Sequence, residues 1–394
     1  MEEIVFKLSV VIVGAAALGV AAHFLKQPLL IAYIAAGVIA GPYVLKLAGD
    51  PEHIEFIRVI SKIGIVLLLF LAGIVLNPQR MLKVFRDVSV ATLAACAVFL
   101  GTGFGVAVLT RSLTGLSWAG CVLLGVTSMF SSTVLTIKLL PAGKLHRQPI
   151  GTLCVGILIF QDLLAVLVLL GMRGYHEGML DIPGLARTLG PGIGLIVFAF
   201  LFAKYALGPL LAMVERYAEL IFVTSLAWCF GMAELCEVFG LSREIGAFIA
   251  GISLASNPLA IYISQKVIPL RDFFIVMFFF ALGAMLNLGE IVGILPYAVG
   301  IAVLYILLKP PVINILLRLR AGQRPLAKEA SIRLGQWSEF SLIIAALALE
   351  LGQINQREWN IITVSCLLTM VISTYIVVLK YPTPLGVTGK LKQN

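Results

Sequence analysis

"ILIFQDLLAVLVLL", residues 157–170, is apolar throughout except for Gln161 and Asp162 near its middle. Such a run suits the hydrocarbon core of a bilayer, where a charged side chain is costly and marks an ion path or a proton relay. Reading it as a membrane span decides the fold, and the rest of the chain agrees. The 394 residues are 60% hydrophobic and 12% charged, with a mean hydropathy of +1.04. A soluble domain is nearer half apolar and about a quarter charged. The chain therefore reads as an all-α polytopic membrane protein. Its start, "MEEIVFKLSV", lacks the basic opening of a cleavable signal, so the first apolar run is expected to remain as a span.

Working outward, a helical span needs about 20 apolar residues. On that rule thirteen spans are expected, at 4–24, 28–47, 61–77, 88–110, 116–140, 149–171, 189–212, 218–239, 243–262, 269–287, 291–316, 329–351 and 360–380. A split at Gly240 separates two of them, and a short polar tail, 381–394, follows. With the N-terminus outside, the inner loops and tail carry sixteen Lys and Arg, among them Lys144, Arg147, Arg318 and Arg320, against nine outside when Lys7 is included. Positive charge collects on the cytoplasmic side, so the expected orientation is N-out and C-in. The net charge of +9 lies in these short loops, as topology signals do, and gives no nucleic-acid patch. The six cysteines lie within apolar segments without metal-ligand spacing, and read as small buried hydrophobes. The four histidines fall near span ends.

Of the charged groups within spans, four are read as lying deep in the membrane: Asp162, Glu234, Lys309 and Glu339. Low dielectric disfavours the charged form of Asp162, while a bound cation favours it. One such carboxylate can hold a proton or a cation, which is the chemical basis of an exchanger; the plain alternative is an Asp paired with a neighbouring helix. Gln161 beside it offers a neutral carbonyl oxygen, a hard ligand. Lys309 precedes Pro310 and Pro311, which predict a kink and freed carbonyls. It can pair with Asp162, offset the carbonyl ends of broken helices, or snorkel. Glu234 reads as a structural hydrogen-bonding group.

Two spans read as interrupted. "TSMFSSTVL" carries Ser128, Ser131, Ser132 and Thr133; "LGQWSEFSL" carries Gly335, Gln336, Ser338, Glu339 and Ser341. Paired interrupted segments in the two halves of a chain point to a transporter site, and unwound backbone at membrane depth must be buried or line a cavity. Singly, each is also compatible with helix–helix packing. Glu339 serves equally as an ion ligand or as a partner for Lys309 or Arg333.

These segments resemble the monovalent cation:proton antiporters and, within them, the Kef-type potassium:proton antiporters. "QPLLIAYIAAGVIAGP" (27–42), "IGIVLLLFLAGIVLNP" (63–78), "SSTVLTIKLL" (131–140), "FQDLLAV" (160–166), "LSREIGAFIAGISLAS" (241–256), "IPLRDFFIVMFFFALGAML" (268–286) and "GQWSEFSLI" (335–343) follow the family's order and spacing. The resemblance implies inverted repeats, two interrupted helices crossing near Asp162, homodimers and an elevator-like core. It implies one exchanger domain over 1–380. The core would hold 88–171 and 291–380, the dimerisation side 4–77 and 218–287, and the linker helix 189–212. Carried over, Asp162 is the alternating cation and proton site, with Gln161, Ser132 and Thr133 around it and Lys309 as the core lysine; Ser131, Gln336 and Glu339 give support. Ser338 stands where the family has Gly, which predicts a less sharp second break. Family members commonly continue into a cytosolic nucleotide-binding regulatory domain, so such a domain or subunit is an expected partner; no cofactor is expected.

One carboxylate carrying either H⁺ or K⁺ predicts electroneutral one-for-one exchange in a bacterial-type inner or plasma membrane. Sodium is the second ion: a neutral amide beside one carboxylate makes a weaker field, which suits potassium. An ion channel is a distant alternative, since no TVGYG-like filter is present. An enzyme is not expected. Ser131, Ser132 and His146 make no hydrolase, because His146 lies in the basic loop "AGKLHRQP", and no HExxH motif occurs.

Overall fold

The computed structural model describes residues 2–47, 51–75, 78–140, 149–176, 182–239, 241–321, 324–381 and 383. The side chains of 51–61, 78–88 and 182–191 are among those not described. The expected split at Gly240, the loop with His146 and residues 384–394 of the tail lie outside the described residues.

Among the described residues the regular structure is helical throughout, without strands. Seven helices are long and apolar enough to cross a membrane, and four shorter apolar helices accompany them. Helix satisfies every backbone hydrogen bond within the segment, which is what hydrocarbon demands. The protein is a multi-pass integral membrane protein.

Among the described residues helices cover most of the expected spans, but several ends differ: the second ends at Ala40 rather than 47, and the next two begin at Pro51 and Pro78 rather than 61 and 88. The ninth span was expected to run to 262, but the helix Arg243–Leu254 stops earlier and the next one, Ala260–Met285, starts earlier than 269. The cause is local: Asn257 Oδ1 accepts from Leu259 N at 2.8 Å, closing a turn just before Pro258. The kink expected at Pro310–Pro311 does not divide its helix. Leu288–Ala321 runs as one 34-residue helix with Pro296, Pro310 and Pro311 inside it.

The chain divides into two compact units. One holds residues 50–82 and 166–281. Its core packs Leu67, Phe70 and Ile74 of the helix Pro51–Val75 with Cys229, Met232 and Ala233 of Ala218–Val238 and Ala247 and Ala250 of Arg243–Leu254. Two of these helices touch through glycine: a Cβ on Gly73 would stand 2.6 Å from the Phe248 carbonyl oxygen. In lipid, such close backbone approach replaces the hydrophobic drive between helices.

The other unit holds residues 1–49, 83–165 and 282–394. It contains both interrupted segments. The first is Trp118–Ser128, a break at 129–132, then Thr133–Leu139; the second is Arg324–Arg333, a break at 334–338, then Glu339–Glu350. The less sharp break expected from Ser338 is not what forms. Five residues leave the helix there, because the Ser338 hydroxyl itself caps the next helix, accepting from Phe340 N at 3.1 Å. Gly335 permits the close packing: a Cβ there would lie 3.3 Å from Pro310 Cγ.

Candidate functional site

The site is assembled within the second of these units, from the two breaks, the helix Pro149–His176 that carries Asp162, the helix Leu288–Ala321 that carries Lys309, and the last helix, Gln356–Lys380. Breaks at membrane depth leave peptide groups without helical partners. Buried polar side chains take them up. Gln161, 1% exposed, accepts from Ser131 N at 2.9 Å and donates to Met129 O at 3.3 Å, so both ends of its amide hold the first break. Gln336, within the second break, ties that break to its neighbours through side chains instead: Nε2 donates to Thr136 Oγ1 at 3.0 Å, and Oε1 accepts from Ser373 Oγ at 3.0 Å. A thiol adds to each break, Cys96 to Met129 O and Cys366 to Ser338 O.

Lys309 joins the two breaks. Fully buried, its ammonium donates to Phe130 O at 2.6 Å in one and to Gln336 O at 3.0 Å in the other, with Ser131 Oγ at 3.4 Å. These bonds match the carbonyl-offsetting alternative for this lysine. Ser131 Oγ donates to Leu334 O at 2.9 Å, and Ser341 Oγ to the Thr127 carbonyl at 2.6 Å, so the segments are stitched together at their crossing. Tyr305 fastens the approach to the first break, donating to Phe99 O and Ser128 Oγ at 2.8 Å each.

Asp162 is partly buried. Both carboxylate oxygens accept from Thr133 Oγ1, at 3.2 and 3.0 Å. Thr133 is the first residue of the half-helix Thr133–Leu139, and Ser132 caps that helix by accepting from Leu135 N at 3.0 Å. The structure thus brings Asp162 and Thr133 face to face, while Ser131, Ser132 and Gln161 bond backbone groups and Gln336 bonds the Thr136 and Ser373 hydroxyls. Glu339 is 5% exposed at the first position of its half-helix. Glu234 lies elsewhere: it is exposed and paired with Arg243 at 2.8 Å, in keeping with a structural role.

Arg333 was missed as a buried charge because it sits close to the start of its span. Its side chain is fully buried, bonded to Glu329 at 2.8 Å and to Leu139 O at 2.8 Å. The available signal was its period. Arg333 follows Glu329 by four residues, a pair that meets on one helix face.

The arrangement can hold one small cation or one proton on a carboxylate, with a hydroxyl as second oxygen and a rigid polar frame behind. Comparison with known proteins bears on the family and the fold. The family described as "sodium/hydrogen exchanger, transmembrane" matches residues 8–380. An iron transporter, MagA of Paramagnetospirillum magneticum, is 28% identical over 352 residues, covering 89% of this chain and 80% of that protein. The glutathione-regulated potassium-efflux system protein KefC of Klebsiella pneumoniae is 28% identical over 358 residues, covering 88% of this chain and 55% of KefC. The chain thus spans just over half the length of the KefC relatives. The sodium proton antiporter MjNhaP1 of Methanocaldococcus jannaschii shares the fold, with a TM-score of 0.69 at 17% identity over 98% of this chain and 99% of that one. The chain belongs to the sodium/hydrogen exchanger family, the transmembrane monovalent cation:proton antiporters.

Proposed function

We propose that the protein exchanges potassium for protons, one for one and without net charge movement, with Asp162 as the alternating site. The observation that carries this reading is the pair Asp162–Thr133 beside a neutral Gln161. A proton on Asp162 neutralises the carboxylate and gives it an O–H of its own, so that it no longer depends on the Thr133 hydroxyl as donor. A cation on Asp162 takes the carboxylate and the hydroxyl oxygen as ligands, since hard monovalent ions prefer oxygen. The two loads exclude each other because each neutralises the same charge. Gln161 keeps that charge at one, and its bonds to the break tie this neutrality to the position of Thr133.

The KefC relatives, named as a potassium-efflux system, support potassium; sodium is the second reading, favoured by the name of the structural neighbour. The name of the MagA relative points to iron, but one carboxylate and one hydroxyl suit a monovalent ion, and among the described residues no group of three or more His, Cys, Asp or Glu could hold a metal ion. In this reading residues 88–171 and 291–380 form the moving core, 4–77 and 218–287 the dimerisation side, and 189–212 the linker. In the same reading the chain crosses a bacterial-type inner or plasma membrane thirteen times, N-out and C-in, and works as a homodimer.

The test is reconstitution into liposomes with a proton-flux readout, comparing potassium, sodium and rubidium gradients while the membrane voltage is clamped at several values. Potassium-driven flux that ignores voltage supports the proposal, and voltage-dependent flux sinks the electroneutral claim. Asp162→Asn should abolish exchange at unchanged expression; persisting exchange refutes the site.

A further inference from the structure

Beyond the cation site, the unit carries a second buried charge. Arg333 ends the helix Arg324–Arg333, and its side chain is 0% exposed. A buried guanidinium must be paired and its donors satisfied. Nε and Nη2 both reach Glu329 Oε1, at 2.9 and 2.8 Å, and Nη1 donates to Leu139 O at 2.8 Å. The Tyr381 ring covers the guanidinium, 5.3 Å from Cζ to the ring centroid. A second bond runs the other way, from Thr136 Oγ1 to Arg333 O at 3.2 Å.

Leu139 is the last residue of the half-helix Thr133–Leu139. The final carbonyls of a helix have no partner within it, and a cation there is favourable. This half-helix is a rod of about two turns, with the Asp162 partner Thr133 at one end and the Arg333 acceptor at the other. A tilt at Leu139 is therefore delivered to Thr133. Tyr381 is the first residue beyond the last helix, extended at φ −132 and ψ 151, with its N–H on Val377 O at 2.9 Å. Its ring shields Arg333 from water and so strengthens the bond to Leu139, as low dielectric does.

We propose that Arg333 and Tyr381 are positioning residues that together clasp the half-helix Thr133–Leu139 against Asp162, and so set cation affinity without touching the cation. This rests on the reading of Asp162 and Thr133 as the cation site. The full chain in liposomes tests it, by titrating whichever of potassium and sodium drives flux. Tyr381→Phe keeps the ring and should match the unmodified protein. Tyr381→Ala should raise the half-saturating cation concentration about three- to tenfold, the worth of one shielded cation–π contact. Maximal rate should stay within about twofold, because the chemistry at Asp162 is unaltered. Arg333→Lys keeps the charge but loses the fork, and should shift half-saturation in the same direction. Unchanged half-saturation in both variants overturns the clasp. Should Tyr381→Ala not fold, Tyr381→Leu carries the same expectation, and failure of both to fold assigns Tyr381 a purely structural role. Asp162→Asn in the same preparation tests the parent reading separately: exchange surviving there removes the cation site, whereas a clasp failure leaves it standing.

Discussion

At the scale of single residues, the proposed site rests on Asp162 and Thr133 together. Thr133 is the only hydroxyl bonded to Asp162 among the described residues, and it meets both carboxylate oxygens. Thr133→Val keeps the shape and removes the hydroxyl, so half-saturation should rise about tenfold, while Thr133→Ser should restore it; equal affinity in the Val variant would discount the hydroxyl as a ligand. Gln161 is used differently from the expectation of a bare ligand oxygen, since its oxygen already accepts from Ser131 N. Gln161→Glu adds a second acid and removes the donor to Met129 O. Exchange in that variant should become sensitive to voltage, measured by clamping the reconstituted membrane. The polar types were legible in the sequence. Their aim was not: an amide at position 161 points at a backbone or at an ion according to what the neighbouring helix presents.

At the scale of elements, the two breaks are held by matched devices. Each has a glutamine clamp, a thiol on a carbonyl and a serine cap, and Lys309 donates to both. The match follows from the paired interruptions that the serine clusters already suggested. Lys309→Met leaves the Phe130 and Gln336 carbonyls buried without this donor, each a loss of about 1–3 kcal/mol. Its melting temperature in detergent should fall by several degrees, and an unchanged melt would contradict the stitching role. Ser338→Ala removes a cap bond worth about 1 kcal/mol and should lower the melt less. The serine at 338 shows where resemblance misled: a glycine loosens a break by freedom of backbone, whereas this serine ends it by bonding Phe340 N. At the opposite end of the first segment, Glu358 accepts from Ser117 N and from Asn355 N, joining that segment to the last helix.

At the scale of the whole molecule, the proposed sharing of one carboxylate by two loads would make transport a competition. Below the titration range of Asp162, half-saturation by the cation should rise about tenfold per pH unit, with the maximal rate unaffected, since one proton displaces one cation. A steeper slope would require a second titrating acid in the cycle, with Glu339 the first candidate, and Glu339→Gln would then return the slope to one proton. Flux measured against cation concentration at several pH values decides.

The sequence by itself determined that the chain is an all-helical membrane protein, roughly where its helices run and which two are interrupted, and it singled out Asp162 as the carboxylate to test. Those properties come from local composition: hydrocarbon selects apolar helices of fixed length and tolerates a charge only where it works. Tertiary structure decided the rest. That Lys309 bridges two breaks, that Gln161 holds backbone while Gln336 bonds the Thr136 and Ser373 side chains, and that Arg333 reaches Leu139 under the ring of Tyr381 are contacts between residues far apart in the chain. Side-chain direction at such sites is set by which unpaired carbonyl or carboxylate the fold brings near, and no local pattern encodes that.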